Sequence, residues 1–322
     1  MQGERKIPTQ VQPKATDYSY DLDRAIGAVL SLTTRIPEDA FTAETLGTER
    51  AGNGVVIGEN GLVLTIGYLV TEAESVWLTT REGRSVPGHV LGFDSVTGFG
   101  LVQALGDLGT PALRIGRAGS LKIGDRAVLA GAGGRAHCVA VELIARQEFA
   151  GYWEYVLDEA LFTAPSHPHW GGTALIGPQG ELLGIGSLQL QQGGSGSARP
   201  INMVVPIDLL PPILDDLATR GRANRPPRPW LGLYATESEE GIVVMGLADG
   251  GPAETGGLQT GDVIEAVAGE PVADLAALFR SVWALGEAGV RVPLTIRRDG
   301  RGVKLALVSA DRETFLRAPS LH

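Results

Sequence analysis

The sequence has a single cysteine, Cys138, among 322 residues. One thiol excludes an internal disulfide and any thiolate-rich metal centre. No apolar run approaches the length that a bilayer-spanning helix requires, since glycine, proline or charge breaks each candidate. No basic run occurs, and the formal net charge is −10. Phosphate backbones and anionic membranes need a concentrated positive surface, so neither nucleic acid nor membrane is an expected partner. The first 20 residues lack the apolar core of a signal peptide. As written the chain reads as cytoplasmic, and as periplasmic if a leader once preceded it.

What the sequence does have is glycine, 45 of them, with 43% hydrophobic and 20% charged residues. This is the composition of a globular chain rich in turns, long enough for two domains. Residues 1–20 read as a flexible arm, polar and without apolar periodicity. From 21 to 219, short β-rich segments recur between Gly, Asp and Pro: Gly54-Val55-Val56-Ile57, Leu62-Val63-Leu64-Thr65, Val76-Trp77-Leu78-Thr79, Ala127-Val128-Leu129-Ala130 and Leu182-Leu183-Gly184-Ile185. That spacing predicts antiparallel barrels or sandwiches. Ile26 to Thr34 reads as the first strand, Asn60-Gly61 as a hairpin turn, and Ile207 to Leu217 as a closing helix. Residues 220–228, Arg-Gly-Arg-Ala-Asn-Arg-Pro-Pro-Arg, have no core-forming side chains and read as a linker. A second domain follows over 229–312, and 313–322 form a tail.

Two groups of motifs carry a resemblance. Ser166-His167-Pro168-His169-Trp170-Gly171-Gly172-Thr173-Ala174-Leu175, followed by Gly180-Glu181-Leu182-Leu183-Gly184-Ile185, is similar to the nucleophile loop and following strand of HtrA-type (Do-like, DegP-type) serine proteases. Gly251-Pro252-Ala253-Glu254-Thr255-Gly256-Gly257-Leu258-Gln259-Thr260-Gly261-Asp262-Val263-Ile264 resembles the signature of their PDZ domain. The resemblance implies a mainly β protein, a trypsin-like double β-barrel followed by a PDZ-like α+β domain. It also implies docking of Tyr18 or Tyr20 on a neighbouring subunit in a homotrimer; packing against their own barrel is the alternative.

Acyl transfer on this scaffold needs a serine, a histidine and an aspartate in fixed roles. Carried onto this chain, the histidine frame Leu64-Thr65-Ile66-Gly67-Tyr68-Leu69-Val70 places Tyr68 at the base position. The aspartate frame Asp94-Ser95-Val96-Thr97-Gly98-Phe99-Gly100-Leu101-Val102 places Gly98 at the carboxylate position, and leaves Asp94 to bond the turn's amides. The serine position falls on Gly171, or on Trp170 if the Gly-Gly pair is matched instead. Pro168-His169-Trp170 also replaces the small residues whose amides would form an oxyanion hole. All three catalytic positions are thus degenerate, the pattern of a pseudoprotease.

Other residues offer alternatives. Ser166 with His167 or His169 could rebuild a displaced hydrolase, making the chain an active endopeptidase of protein quality control. His167 and His169, two apart in extended chain, could share a face toward a metal or haem, although further ligands are missing nearby. No cofactor is expected. Phe149, Tyr152, Trp153 and Tyr155 gather where relatives border their substrate cleft, and could fill it, bind an apolar ligand, or pack locally. Cys138 reads as a buried small hydrophobe.

In the second domain, strand addition and capture of a terminal carboxylate are what a PDZ fold does with peptides. By resemblance Trp230, Leu231, Gly232 and Leu233 form the carboxylate loop and the start of the binding strand. A helix over Asp274 to Leu285 brings Leu275, Leu278 and Phe279 as pocket candidates, with core packing as the alternative for each. The expected function is a non-catalytic adaptor, scaffold or chaperone-like holder that binds peptides or protein carboxy termini.

Overall fold

The computed structural model describes residues 6–193 and 198–318. Residues 1–5 of the expected arm and 319–322 of the expected tail lie outside it. The described chain divides into two compact units, one made of residues up to 147 and 159–224, the other of 148–158 and 225–317.

The first unit holds two closed antiparallel barrels. In the first, β1 (Val29–Arg35), β2 (Glu49–Gly58), β3 (Leu62–Ile66), β6 (Phe99–Ala104), β5 (Ser85–Phe93) and β4 (Ser75–Thr79) pair in that order around the ring. In the second, β10 (Ala174–Ile176), β11 (Leu182–Gln192), β12 (Arg199–Pro206), β9 (Tyr155–Ala164), β8 (Cys138–Gly151) and β7 (Arg126–Ala130) close the ring. Alternation puts Leu30, Leu32, Leu64, Phe99 and Leu101 fully inside, and Leu129, Leu183 and Val204 likewise. Closure leaves no barrel edge unpaired. Asn60-Gly61 makes the β2–β3 turn, with Gly61 at φ 80°, a conformation that costs glycine nothing.

Three expectations are corrected here. Residues 6–20 are not a featureless arm: they form 3-10 turns at Thr9–Val11 and Ala15–Asp17, and Ile7 is buried. Tyr20 packs on Gly180 of its own chain, where an added Cβ would meet its ring at 2.7 Å. The predicted first strand begins late, because Asp21 caps a helix, α1 (Leu22–Gly27), by accepting the Arg24 amide at 3.0 Å, and the strand starts only at Val29. A short helix, α2 (Ala43–Leu46), follows β1. The closing helix is broken, a 3-10 turn at Ile207–Leu209 and then α3 (Leu214–Arg220). Pro211 and Pro212, lacking amide hydrogens, explain the interruption.

The second unit is a sheet of β13 (Leu233–Ser238), β14 (Gly241–Leu247), β15 (Val263–Val267), β17 (Arg291–Arg298) and β18 (Arg301–Val308), with β16 (Glu270–Pro271) paired to β15. Strand β13 lies at one end of that order. Pro252 opens α4 (Pro252–Thr255) at its first turn, where a missing N–H costs nothing. Helix α5 (Leu275–Trp283) starts at Asp274, whose carboxylate accepts the Ala277 amide at 2.7 Å. The linker is not bare: Ala223 is buried, and Arg228 lies over the Trp283 ring at 4.4 Å. The assignment that sequence did not anticipate is residues 148–158, the tip of the β8–β9 hairpin, which groups with this sheet.

Among the described residues no helix is long and apolar enough to cross a membrane.

Candidate functional site

Tyr68, Gly98 and Gly171, the three positions that the resemblance singles out, all lie in the first unit. Tyr68 stands on a 3-10 turn that leaves β3. Gly98, at φ 84°, turns the chain between β5 and β6, and its carbonyl accepts the Gly67 amide at 2.7 Å. Asp94 holds that turn by accepting the Thr97 amide on its carboxylate at 2.8 Å. Gly171 lies in the loop before β10, and a Cβ built there would stand 2.7 Å from the Tyr68 hydroxyl. The phenol therefore occupies the space into which a serine at 171 would project.

Burial raises the Tyr68 phenol well above its ordinary range, opposed by a hydrogen bond with the Trp170 side chain. The hydroxyl donates to the Ser187 carbonyl at 2.9 Å, so its proton is already bonded. Arg50 reaches the Tyr68 carbonyl from behind at 2.8 Å and fixes the turn.

The loop itself is tied down by its own side chains. Asn53 of β2 donates from its side chain to the carbonyls of His169 (3.1 Å) and Gly171 (2.9 Å), and accepts the Ala132 amide at 2.8 Å. Its backbone N–H bonds Gly171 as well, at 2.9 Å. Gly172 follows at φ 75°, with the Asn53 carbonyl only 1.9 Å from where a Cβ would be. No side chain fits there.

His167 is almost fully buried. Its Nδ1 accepts the His169 amide at 3.0 Å. A nitrogen that accepts from an amide carries no proton, so Nε2 bears it and donates to the His137 carbonyl at 2.9 Å. Burial pushes this imidazole down to about 4, against the hydrogen bond to His137. It is neutral at pH 7, and its one nitrogen lone pair, on Nδ1, is engaged by the His169 amide. The His167 and His169 rings sit 6.3 Å apart, nearly perpendicular. Among the described residues no cluster of three or more His, Cys, Asp or Glu has the arrangement of a metal site. Ser166, the candidate displaced nucleophile, accepts the Gln189 side-chain amide at 2.7 Å rather than facing an imidazole that could take its proton. Cys138 is buried in β8, its thiol pushed up to about 12 by that burial and bonded toward the Gly134 carbonyl.

A second arrangement lies in the other unit. The amides of Leu231, Gly232 and Leu233 point to one place, and a carboxylate is there: Glu154 accepts them at 3.0, 2.7 and 3.1 Å. Gly232 has φ 75°, the turn that aims consecutive amides at one anion. The backbone of Trp230 pairs with Ala310 in both directions and its ring packs on Phe315, 4.9 Å between centroids, which braces the start of this loop. Leu275, Leu278 and Phe279 are all buried in the domain's apolar cluster together with Leu231, Leu233 and Val156. The aromatic segment 149–155 packs in this unit too: Tyr152 lies edge-on to Tyr234 at 6.1 Å, and Trp153 stacks on Tyr155 at 5.6 Å.

Sequence reasoning missed Asn53, Gln189 and Glu154. None carries a motif; each acts across more than 20 positions of chain.

A double six-stranded barrel followed by a six-stranded sheet with a glycine turn that gathers three amides on one carboxylate defines a trypsin-like peptidase domain joined to a PDZ domain. Those two families match this sequence over residues 52–185 and 229–308. The chain belongs to the HtrA family. It is 28% identical over 264 residues to a probable periplasmic serine endoprotease DegP-like of Pseudomonas fluorescens, covering 78% of this chain and 54% of that one. It is also 28% identical over 292 residues to a putative serine protease HhoA of Synechocystis, covering 82% and 69%. The chain thus spans about half the length of the DegP-like relative. Among solved structures it is similar to the HtrA-type protease AlgW with decapeptide, at TM-score 0.54 and 22% identity over 93% of this chain and 98% of that one. A serine endoprotease from Yersinia pestis matches at TM-score 0.52 and 22% identity, covering 91% and 98%.

Proposed function

We propose that this chain is a pseudoprotease: an HtrA-family scaffold without peptidase chemistry, acting as an adaptor or chaperone-like holder that binds peptides or protein carboxy termini through its PDZ domain. The observation that carries the reading is the Tyr68 phenol lying 2.7 Å from where a side chain at Gly171 would begin. A serine at that position has no room, and a phenol raised above its usual range is no base at neutral pH. Gly98 supplies no carboxylate, and the His169 amide, which an oxyanion hole would need, is bonded to His167.

The positive half of the reading is supported by the three convergent amides of residues 231–233, which suit a carboxylate. The solved AlgW protease was captured with a decapeptide.

The test has two arms. Incubation with unfolded casein and a fluorophosphonate probe is expected to give neither cleavage nor labelling. Labelling that disappears in Ser166→Ala would instead establish an active endopeptidase. A carboxy-terminal peptide array is expected to find ligands that Leu231→Glu abolishes; an array with no binder removes the adaptor role. The homotrimer belongs to the same proposal, and light scattering that returns the mass of one chain removes it.

A further inference from the structure

The carboxylate loop of the PDZ domain is occupied, and the occupant is the chain itself. Glu154 sits at the tip of the β8–β9 hairpin with φ 60°, a left-handed conformation that side-chain-bearing residues rarely adopt. From there its carboxylate takes the amides of Leu231, Gly232 and Leu233. Two residues earlier, the Tyr152 carbonyl accepts the Ala235 amide at 3.0 Å. That is an added-strand contact on β13, the terminal strand of the sheet. Two residues later, Val156 is buried in the apolar cluster with Leu275, Leu278 and Phe279. Arg280 of α5 pairs with Glu148 and Asp158 at the two flanks of the tip.

An extended peptide offers such a groove three things: a carboxylate for the loop, a backbone edge for the strand, and an aliphatic side chain for the pocket. Residues 148–158 present all three. We propose that this tip is a ligand held in cis, so that a carboxy-terminal peptide enters the groove only by displacing Glu154 and its neighbours. The inference rests on reading the groove as a peptide site. It adds that the site is closed at rest, and that ligand binding releases the aromatic tip of residues 152–155.

Two features separate a displaceable ligand from a permanent staple. The contacts to the loop are made by one side chain from a turn in an uncommon backbone conformation. The flanking ion pairs are largely exposed, with side chains between 44% and 92% accessible, and such pairs hold weakly.

The experiment uses the full chain as wild type, Glu154→Gly, which suits the left-handed turn, and Glu154→Gln, which keeps the shape and loses the charge. The probe is a fluorescein-labelled synthetic decapeptide ending in Tyr-Trp-Val with a free carboxylate, its carboxamide form serving as control. Polarisation should report at least about tenfold tighter binding to Glu154→Gly than to wild type, and binding to Glu154→Gln no tighter than to wild type, because the neutral side chain keeps the docked shape. Hydrogen exchange at the amides of 231–233 should be slow in the unliganded wild type and about tenfold or more faster in Glu154→Gly. Equal peptide affinity across the three proteins overturns the proposal while leaving the peptide-binding function intact. If the peptide binds none of them, exchange decides. Lost protection in the variant keeps the tip as resident ligand and removes the peptide-binding function, and unchanged protection removes the cis ligand.

Discussion

The cleft around Tyr68 and Gly171 and the loop of residues 231–233 are both filled by the chain's own side chains, but by different means. In the cleft, the occupants belong to the walls. Tyr68 leaves a barrel strand, His167 and Asn53 bond the loop they support, and every donor among them has its acceptor nearby. Emptying that space means dismantling the barrel's hydrogen bonds. In the second unit the occupant comes from a hairpin tip 77 residues away in sequence, held by one carboxylate, an added-strand contact, the buried Val156 and exposed ion pairs. The first filling is part of the fold, whereas the second resembles a ligand. The distinction lies in how much structure must be lost before the space opens.

The largest expected effect tests whether the cleft has lost more than three side chains. Tyr68→His with Gly98→Asp and Gly171→Ser restores the residue types but leaves the His169 amide on His167. This triple variant is expected to show no casein turnover above wild type. Adding His167→Ala frees the amide, and turnover should rise by roughly 10²-fold, the usual worth of one oxyanion donor. Turnover by the triple variant alone would break the comparison, because the cleft would then be closed only by its substitutions. Next in size, Asn53→Ala leaves the carbonyls of His169 and Gly171 and the amide of Ala132 short of partners in a buried site. A loss of about 2–4 kcal/mol in urea unfolding is expected. The parallel change in the other region, Glu154→Gln, should move the same midpoint by less than about 1 kcal/mol. Equal losses would make both fillings structural.

The barrels and the PDZ sheet were legible because their signals are local. The β-rich run Leu62 to Thr65 reports a strand, Asn60-Gly61 a turn, and Pro252 followed by Gly256-Gly257 a one-turn helix, each within a few residues. The frames around Tyr68, Gly98 and Gly171 are local signals of the same kind. What fills these positions was not legible. That Tyr68 points at Gly171, that Asn53 ties Gly171 to β2, and that Glu154 meets Leu231 are pairings across 77 to 118 positions, fixed by strand register and barrel closure. The aromatics at 149–155 look like cleft residues in sequence because they precede the nucleophile loop. They pack in the PDZ unit because β8 and β9 continue past their barrel pairing.

The two regions also respond to pH in opposite directions. His167 is held neutral by burial, with its folded pKa down at about 4 from an ordinary 6.5. A depressed imidazole stabilises the fold above the unfolded pKa, and that contribution fades as pH falls from about 6.5 through 4. Barrel stability should therefore drop by on the order of 2 kcal/mol between pH 7 and 4, in urea titrations compared with His167→Asn. Glu154 runs the other way. Burial pushes its carboxyl up to about 7, against the pull of the Leu231, Leu233 and Gly232 amides and the Arg312 guanidinium. A raised carboxyl favours the docked tip while protonated, so docking is strongest below the ordinary carboxylate range and weakens as pH rises through about 7. Affinity of the wild type for the Tyr-Trp-Val peptide should rise about three- to tenfold from pH 6 to 8. In Glu154→Gln it should stay flat, and a wild-type profile just as flat would separate the peptide site from the tip.

The smallest effect sharpens the comparison at its weakest contact. Arg280 pairs with Glu148 and with Asp158 at 2.5 Å, and all three side chains are substantially exposed. Water and salt screen such pairs, so Arg280→Ala should loosen the tip by only about 0.5 kcal/mol, a two- to threefold gain in peptide affinity at low ionic strength. The gain should vanish at 1 M salt, where the Debye length is about 3 Å. A gain as large as that of Glu154→Gly would move the latch from the carboxylate loop to the flanks, because the tip would then be held by its ion pairs and Glu154 would merely fill the space they define.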